Sequence, residues 1–230
     1  MSSTLSVRGL TAGYGTTTVL RGVDLEVDAG EVVCLLGRNG AGKTTLLRAL
    51  MGLLPRRGRV CLGDRDVTHQ RGSRISRLGM VWVPQESQVV PGLTVADHFA
   101  LAVVDSDPAR ALTIAAETFP VLGERARQDA ATLSGGERKM LGISLALAVE
   151  PSVILMDEPT EGVAPVVVQQ LLSAMRSIGD DVAVLLVEQN LDTALALGER
   201  AYVLETGTIV ESGPLDELSS SGRLESRLAL

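Results

Sequence analysis

A chain of 230 residues can bury one well-packed core and is too short for two large independent ones. Aromatic residues make up 2% against 45% hydrophobic residues in all, so Val, Leu, Ala and Ile must fill the interior, as suits a buried parallel sheet flanked by helices. A formal charge of −7 offers no cationic footprint for a polyphosphate backbone and weighs against a nucleic-acid partner, while leaving room for one small anionic ligand.

Short Val/Leu-rich runs bounded by Gly, Pro or Asp predict strands at Leu5–Leu10, Val23–Val27, Val32–Leu36, Arg59–Leu62 and Val81–Val83. A helical pattern starts at Lys43 and runs to about Met51, stopped by Gly52 with Pro55 beyond. Thr94 to about Phe119 is helical in character, with Thr94 or Asp107 as cap, and interrupts the alternation of strands and helices as an inserted helical arm. Beyond it, Gly136–Ala148 and Pro165–Ile178 predict helices, and Val153–Met156 and Ala183–Val187 predict buried strands. Tyr202–Glu205 and Thr208–Val210 predict a hairpin around Thr206-Gly207, followed by a serine-rich joint at Ser219–Ser221. Cys34 and Cys61 each sit between apolar neighbours in strand-like runs and are expected as reduced core residues of a cytosolic protein. His69 and His98 are expected on the surface or a helix face. Nothing approaches the roughly 18 to 20 apolar residues that span a bilayer, and Met1-Ser2-Ser3-Thr4 lacks a secretion signal, so any membrane role is expected to be peripheral.

The sharpest chemical signal is Gly37-Arg38-Asn39-Gly40-Ala41-Gly42-Lys43-Thr44, a G-x-x-x-x-G-K-[ST] loop set between an apolar strand and a helix. Its glycines let backbone N–H groups converge on phosphate oxygens, Lys43 neutralises charge, and the Thr44 hydroxyl can reach Mg2+. The strand at Val153–Met156 ends in Asp157-Glu158-Pro159, and parallel strands present their C-terminal ends to a ligand crevice. There Asp157 can hold Mg2+ directly or through water while Glu158 polarises an attacking water; standing alone, the pair would read as a solvated loop or a helix cap. Leu133-Ser134-Gly135-Gly136-Glu137 precedes a helix at once. Ser134 and the Gly135 and Gly136 amides there form an anion site, and an N-cap box of Ser134 with Glu137 explains the same residues locally.

Phosphate loop, L-S-G-G-E run and Asp157-Glu158 together resemble the ATP-binding subunits of ABC transporters, over nearly the whole chain. The resemblance implies an α/β fold: a P-loop NTPase (RecA-like) core with a parallel sheet, an N-terminal antiparallel β subdomain and an inserted helical arm. It implies one ATPase domain over 1–230, its nucleotide-binding core at 1–86 and 140–230 and its arm, with the signature, at 87–139. Nucleotide is expected at Tyr14, whose ring stacks on adenine, and at Gly37, Arg38, Asn39, Gly40, Ala41, Gly42, Lys43, Thr44 and Thr45. Mg2+ is expected at Thr44, Gln85 and Asp157, with Glu158, Gln85 and Gln189 as the catalytic set. Ser134, Gly135, Gly136 and Glu137 would contact the γ-phosphate of ATP held by a partner protomer. The implied partners are integral membrane permease subunits, met by the helical arm, and a second ATPase subunit, identical or different, on the inner face of the cell membrane.

Departures sharpen the resemblance. Val187-Glu188-Gln189-Asn190 places Gln189 where the family commonly has a histidine, and a glutamine can donate a hydrogen bond but carries no proton at neutral pH. This run, with Asp157-Glu158-Pro159-Thr160-Glu161-Gly162-Val163-Ala164-Pro165, is similar to one of the two ATPases of branched-chain amino-acid importers and to their urea or amide relatives. Ala164 stands where most of the family has an aspartate, a variation those importers share. Against it, Glu86-Ser87-Gln88-Val89-Val90 replaces the basic, aromatic-containing segment usual there. Two other readings stay open: a soluble ABC-type ATPase of DNA repair or translation, and a nucleotide-gated module whose hydrolysis is vestigial. A guanine-reading N-K-x-D run is missing from the sequence.

Overall fold

The computed structural model describes residues 4–86, 89–103, 107–179, 181–220 and 222–228. Ser87 and Gln88 of the segment after Gln85, Ser221 of the serine-rich joint and Met1–Ser3 of the chain start lie outside the described residues. In chain order come β1 (Leu5–Tyr14), β2 (Thr17–Val27), β3 (Val32–Leu36), α1 (Lys43–Leu50), β4 (Arg56–Leu62), β5 (Arg65–Asp66), α2 (Gly72–Arg77), β6 (Met80–Val83), α3 (Val95–Ala102), α4 (Pro108–Thr118) and α5 (Pro120–Glu124). Then follow α6 (Gly135–Ala148), β7 (Val153–Asp157), α7 (Pro165–Arg176), β8 (Ala183–Glu188), α8 (Leu191–Leu197), β9 (Arg200–Glu205), β10 (Thr208–Pro214), α9 (Leu215–Ser220) and α10 (Arg223–Leu228). They form two compact units, one of Met1–Trp82, Ser152–Glu158 and Ile178–Leu230, the other of Val83–Pro151 and Pro159–Ser177.

In the first unit an antiparallel sheet of order β2-β1-β4-β5 accompanies a second sheet of order β10-β9-β3-β8-β7-β6. β3, β7 and β8 are buried almost end to end, as parallel strands covered on both faces must be, and pair in parallel with Leu36 beside Glu188 and Asp157 beside Val187. That register brings the ends of three strands to one edge, where the loops after β3, β7 and β8 begin. α1 packs against β1, β2 and β7 and sinks Leu46, Leu47, Ala49 and Leu50 completely, each leucine contributing about 1.5–3 kcal/mol of apolar burial.

The second unit is helical. Thr94 and Ser134 close capping boxes with Asp97 and Glu137, and Asp107 caps α4 ahead of Pro108, so both caps proposed for the arm are used, each by its own helix. Phe99, Leu122, Leu141 and Ile143 are fully buried at its centre. This unit also takes in α6 and α7, which approach each other at Gly136, where a built Cβ falls 2.9 Å from Val167 Cγ1.

Several expectations are corrected. His98 lies on α3 and is buried: its Nε2 accepts from Val90 N–H at 2.9 Å, so Nδ1, 2.8 Å from the Thr94 carbonyl, carries the proton and donates. Cys34 is buried, but Cys61 is only half-buried on β4. β1, β2 and β4 extend beyond their apolar stretches because cross-strand pairing, to residues as polar as Arg56, Arg57 and Thr17, carries them on.

Candidate functional site

The phosphate loop is built by its neighbours in the first unit. Gly37 follows β3 where a Cβ would come 2.5 Å from the Leu204 carbonyl, and Ala41 N–H turns back to the Arg38 carbonyl at 3.1 Å. The β9–β10 turn braces the other side: Gly207 N–H donates to the Ala41 carbonyl at 2.9 Å, while its own carbonyl accepts from Arg21 N–H at 2.8 Å. A side chain at Gly207 would meet the Val19 carbonyl at 1.7 Å, so the brace requires glycine. Gly42 is the N-cap of α1 and supplies no side-chain cap, which leaves the first N–H groups of α1 to an anion.

Lys43 is the buried cation of this loop. Its Nζ donates to the Gly37 carbonyl at 2.7 Å and lies 3.1 Å from Glu158 Oε1. Glu158 adopts φ 47°, a left-handed conformation that costs a non-glycine residue roughly 1–3 kcal/mol, with its N–H held by the Val187 carbonyl at 2.9 Å. That kink swings its carboxylate off the line of β7 and toward Lys43. Asp157 and Glu188 close adjacent strands, each 2% exposed. Nothing in the sequence patterns singled out Glu188; the available signal was a carboxylate ending an apolar run, the signal that pointed to Asp157. Glu188 and, more strongly, burial push the Cys34 thiol up to about 12.

Three buried carboxylates, one ammonium and the half-buried Thr44 hydroxyl give an oxygen-rich donor set with excess negative charge. Among the described residues no cluster of three or more His, Cys, Asp or Glu side chains could hold a metal by itself. The set therefore fits a hard cation such as Mg2+ that keeps phosphate and water ligands, and does not fit a closed protein cage. Thr45 is buried against α1's own surroundings, Gln189 is half-buried just past β8, and Tyr14 stands 43% exposed at the β1–β2 turn. The Tyr14 phenol oxygen accepts from Arg48 Nη1 at 3.1 Å, a tertiary contact from α1 that no sequence pattern announced.

The signature belongs to the second unit. Ser134 Oγ accepts from Glu137 N–H at 3.3 Å and Glu137 Oε2 accepts from Ser134 N–H at 2.8 Å, so the local capping reading holds as drawn. Arg125 steadies the same carboxylate at 3.1 Å. The two glycines differ: Gly136 is closed off by Val167, whereas a Cβ on Gly135 would meet nothing within 4 Å. Gly135 thus leaves its backbone open to a ligand. Gln85 is exposed, and its Nε2 donates to Glu161 Oε2.

The family model described as ABC transporter matches residues 20–161. The high-affinity branched-chain amino acid transport ATP-binding protein BraG of Pseudomonas aeruginosa is 39% identical over 211 residues, covering 90% of this chain and 91% of its own. The lipopolysaccharide export system ATP-binding protein LptB of Acidithiobacillus ferridurans is 37% identical over 227 residues, covering 95% and 93%. A solved ATP-binding subunit of an ABC transporter superposes with a TM-score of 0.86 at 26% identity, over 99% of this chain and 100% of that one. With a phosphate loop of this geometry and relatives matched along their length, the chain belongs to the ABC transporter family, as an ATP-binding subunit whose ATPase activity is coupled to transport.

Proposed function

We propose that this chain is the ATPase of an importer for branched-chain amino acids or a related small polar solute, and that it works as one half of a dimer closed around two ATP. The whole chain acts as one cassette, seated peripherally on the inner face of the membrane against permease subunits and paired with a second ATPase. Among the described residues no helix is long and apolar enough to cross a membrane. The ion pair of Lys43 and Glu158 carries the catalytic part of this reading: it sets a buried cation and a buried carboxylate at the mouth of one phosphate loop. Similarity to BraG supports the cargo class.

In this mechanism Tyr14 stacks on the base, and the loop amides from Gly37 to Thr45 take the phosphates. Thr44, Asp157 and Gln85 would hold Mg2+, which would supply positive charge against the phosphates. When phosphate binds, the Lys43 ammonium exchanges its contact with Glu158 for one with phosphate, which leaves the carboxylate to polarise the attacking water. Gln189 donates a hydrogen bond to the γ-phosphate, and Ser134, Gly135 and Gly136 of the partner protomer close over it. Closure and reopening drive the permease.

Glu158→Gln is expected to retain ATP binding and lose hydrolysis by at least two orders of magnitude. Undiminished turnover would remove Glu158 from its role. Cargo is tested by trapping that variant with ATP in native membranes and identifying what is retrieved with it. An amino-acid permease pair and a second ATPase support import, whereas lipopolysaccharide-export components would place the chain with LptB, which is 37% identical.

A further inference from the structure

Tyr14 ends β1 opposite Thr17, the first residue of β2, at a turn whose Gly15 adopts φ 56°. Just before it, a Cβ on Gly13 would lie 1.9 Å from the Thr17 carbonyl oxygen, so the hairpin is closed tightly and holds the Tyr14 backbone. The ring, 43% exposed, is anchored at its tip instead, where Arg48 Nη1 donates to the hydroxyl at 3.1 Å. Such a tether fixes χ1, which decides where the ring lies, because rotation about the Cγ–Cζ axis leaves the oxygen in place. Arg48 is itself on a fixed support. It projects from the exposed side of α1, whose Leu46, Leu47 and Leu50 are fully buried and which packs against both strands of the hairpin. The first residue of that helix is Lys43 of the phosphate loop, roughly 7.5 Å back along the axis.

We propose that Arg48 is a positioning residue for adenine: it keeps the Tyr14 ring in one χ1 well, so that a single helix sets both where the phosphates sit and where the base stacks. This rests on the assignment of Tyr14 to the base made above. Arg48 touches no part of the nucleotide. Without it, an exposed ring spreads over up to three staggered wells, and affinity falls with the fraction left in the competent one.

The test uses the full chain and titration calorimetry with a non-hydrolysable ATP analogue and with inorganic triphosphate, each with Mg2+. Arg48→Ala is expected to weaken the analogue roughly two- to threefold and to leave triphosphate at the parent's affinity. Tyr14→Phe, which keeps the ring and loses the tether, should show the same loss, and the double variant no more. In the nucleotide-free protein, the three-bond couplings of Tyr14 Cγ to its backbone nitrogen and carbonyl carbon report χ1. Arg48→Ala should move them to rotamer-averaged values. The other tyrosine, Tyr202, whose hydroxyl accepts from Glu26 N–H and Arg200, should keep its own. Equal weakening of both ligands would overturn the proposal by making Arg48 a general source of positive charge. A further loss on the Tyr14→Phe background would overturn it by making Arg48 a direct contact of the nucleotide. Unchanged analogue affinity or unchanged Tyr14 couplings in Arg48→Ala, beside a clear loss of affinity in Tyr14→Ala, would overturn the positioning role and leave Tyr14 on the base. Parent affinity in Tyr14→Ala would instead overturn the stacking assignment and the proposal with it.

Discussion

The side chains of Lys43 and Glu158 are 5% and 10% exposed and meet at 3.1 Å, so each offsets part of the other's cost of leaving water. Deleting one partner strands a buried charge at a cost of about 3–5 kcal/mol, whereas neutralising both removes the problem. Lys43→Met is therefore expected to lower the melting temperature more than Lys43→Met with Glu158→Gln, although neither binds ATP well. Thermal unfolding of the two variants checks this, and equal melting temperatures would show that a Glu158 carboxylate left without Lys43 carries no penalty. Tyr14 makes a separate prediction. Tyr14→Ala should weaken ATP binding by about 1–3 kcal/mol, the worth of stacking one base on a ring, and leave inorganic triphosphate binding as it was. Titration calorimetry with both ligands separates a base contact from a general loosening of the β1–β2 turn.

Among elements, the start of α6 separates two glycines that look equivalent in L-S-G-G-E. Gly136→Ala forces a methyl to 2.9 Å from Val167 Cγ1 and should destabilise the helical unit, with Val167→Ala restoring it. Gly135→Ala meets no atom within 4 Å and should melt like the parent while losing ATP-driven dimerisation. Chemical denaturation alongside light scattering distinguishes the two, and a Gly135→Ala protein that still dimerises with ATP would remove this glycine from the partner's phosphate. Only the pairing of α6 with α7 reveals the difference, which is why the sequence motif does not. The same limit applies elsewhere. β3, β7 and β8 were legible because burial on both faces imposes unbroken apolar runs, and the phosphate loop because its residues are contiguous. The outer half of β2 and the Arg56–Gly58 start of β4 were not, because exposed Thr and Arg carry no apolar period and only their ladder partners hold them extended. His98 was misjudged for a related reason: a lone histidine gives no sign that Val90 and Thr94 satisfy both its nitrogens. The contacts of Gln85 with Glu161 and of Tyr14 with Arg48 are likewise tertiary and left no trace in spacing.

Across the first unit as a whole, Arg200 clamps Glu31 with two bonds of 2.7 and 2.8 Å and also reaches the Glu26 carbonyl and the Tyr202 hydroxyl, tying β9 to the β2–β3 connection. Burial of Glu31 works against its ionisation, but the Arg200 bonds, the Asp28 N–H and the Arg200 charge outweigh it and hold the carboxyl below its ordinary 4.5. A carboxylate with a lowered pKa favours the folded state above its unfolded value and loses that contribution as pH falls through the folded one. Urea unfolding should therefore show Glu31→Gln less stable than the parent at pH 7, with the gap closing below about pH 4.5. A gap independent of pH would assign the loss to packing.

The brace on the phosphate loop comes from the far end of the chain, since Gly207 N–H fastens the Ala41 carbonyl and β3 lies between β8 and β9. On a ribosome adding roughly 5–20 residues per second, the loop leaves the exit tunnel roughly ten to thirty seconds ahead of the turn that fastens it. A nascent chain stalled short of Gly207 should pass over immobilised ATP, and one stalled well beyond it should be retained, so the loop written early in the message becomes a binding site only near the end of translation.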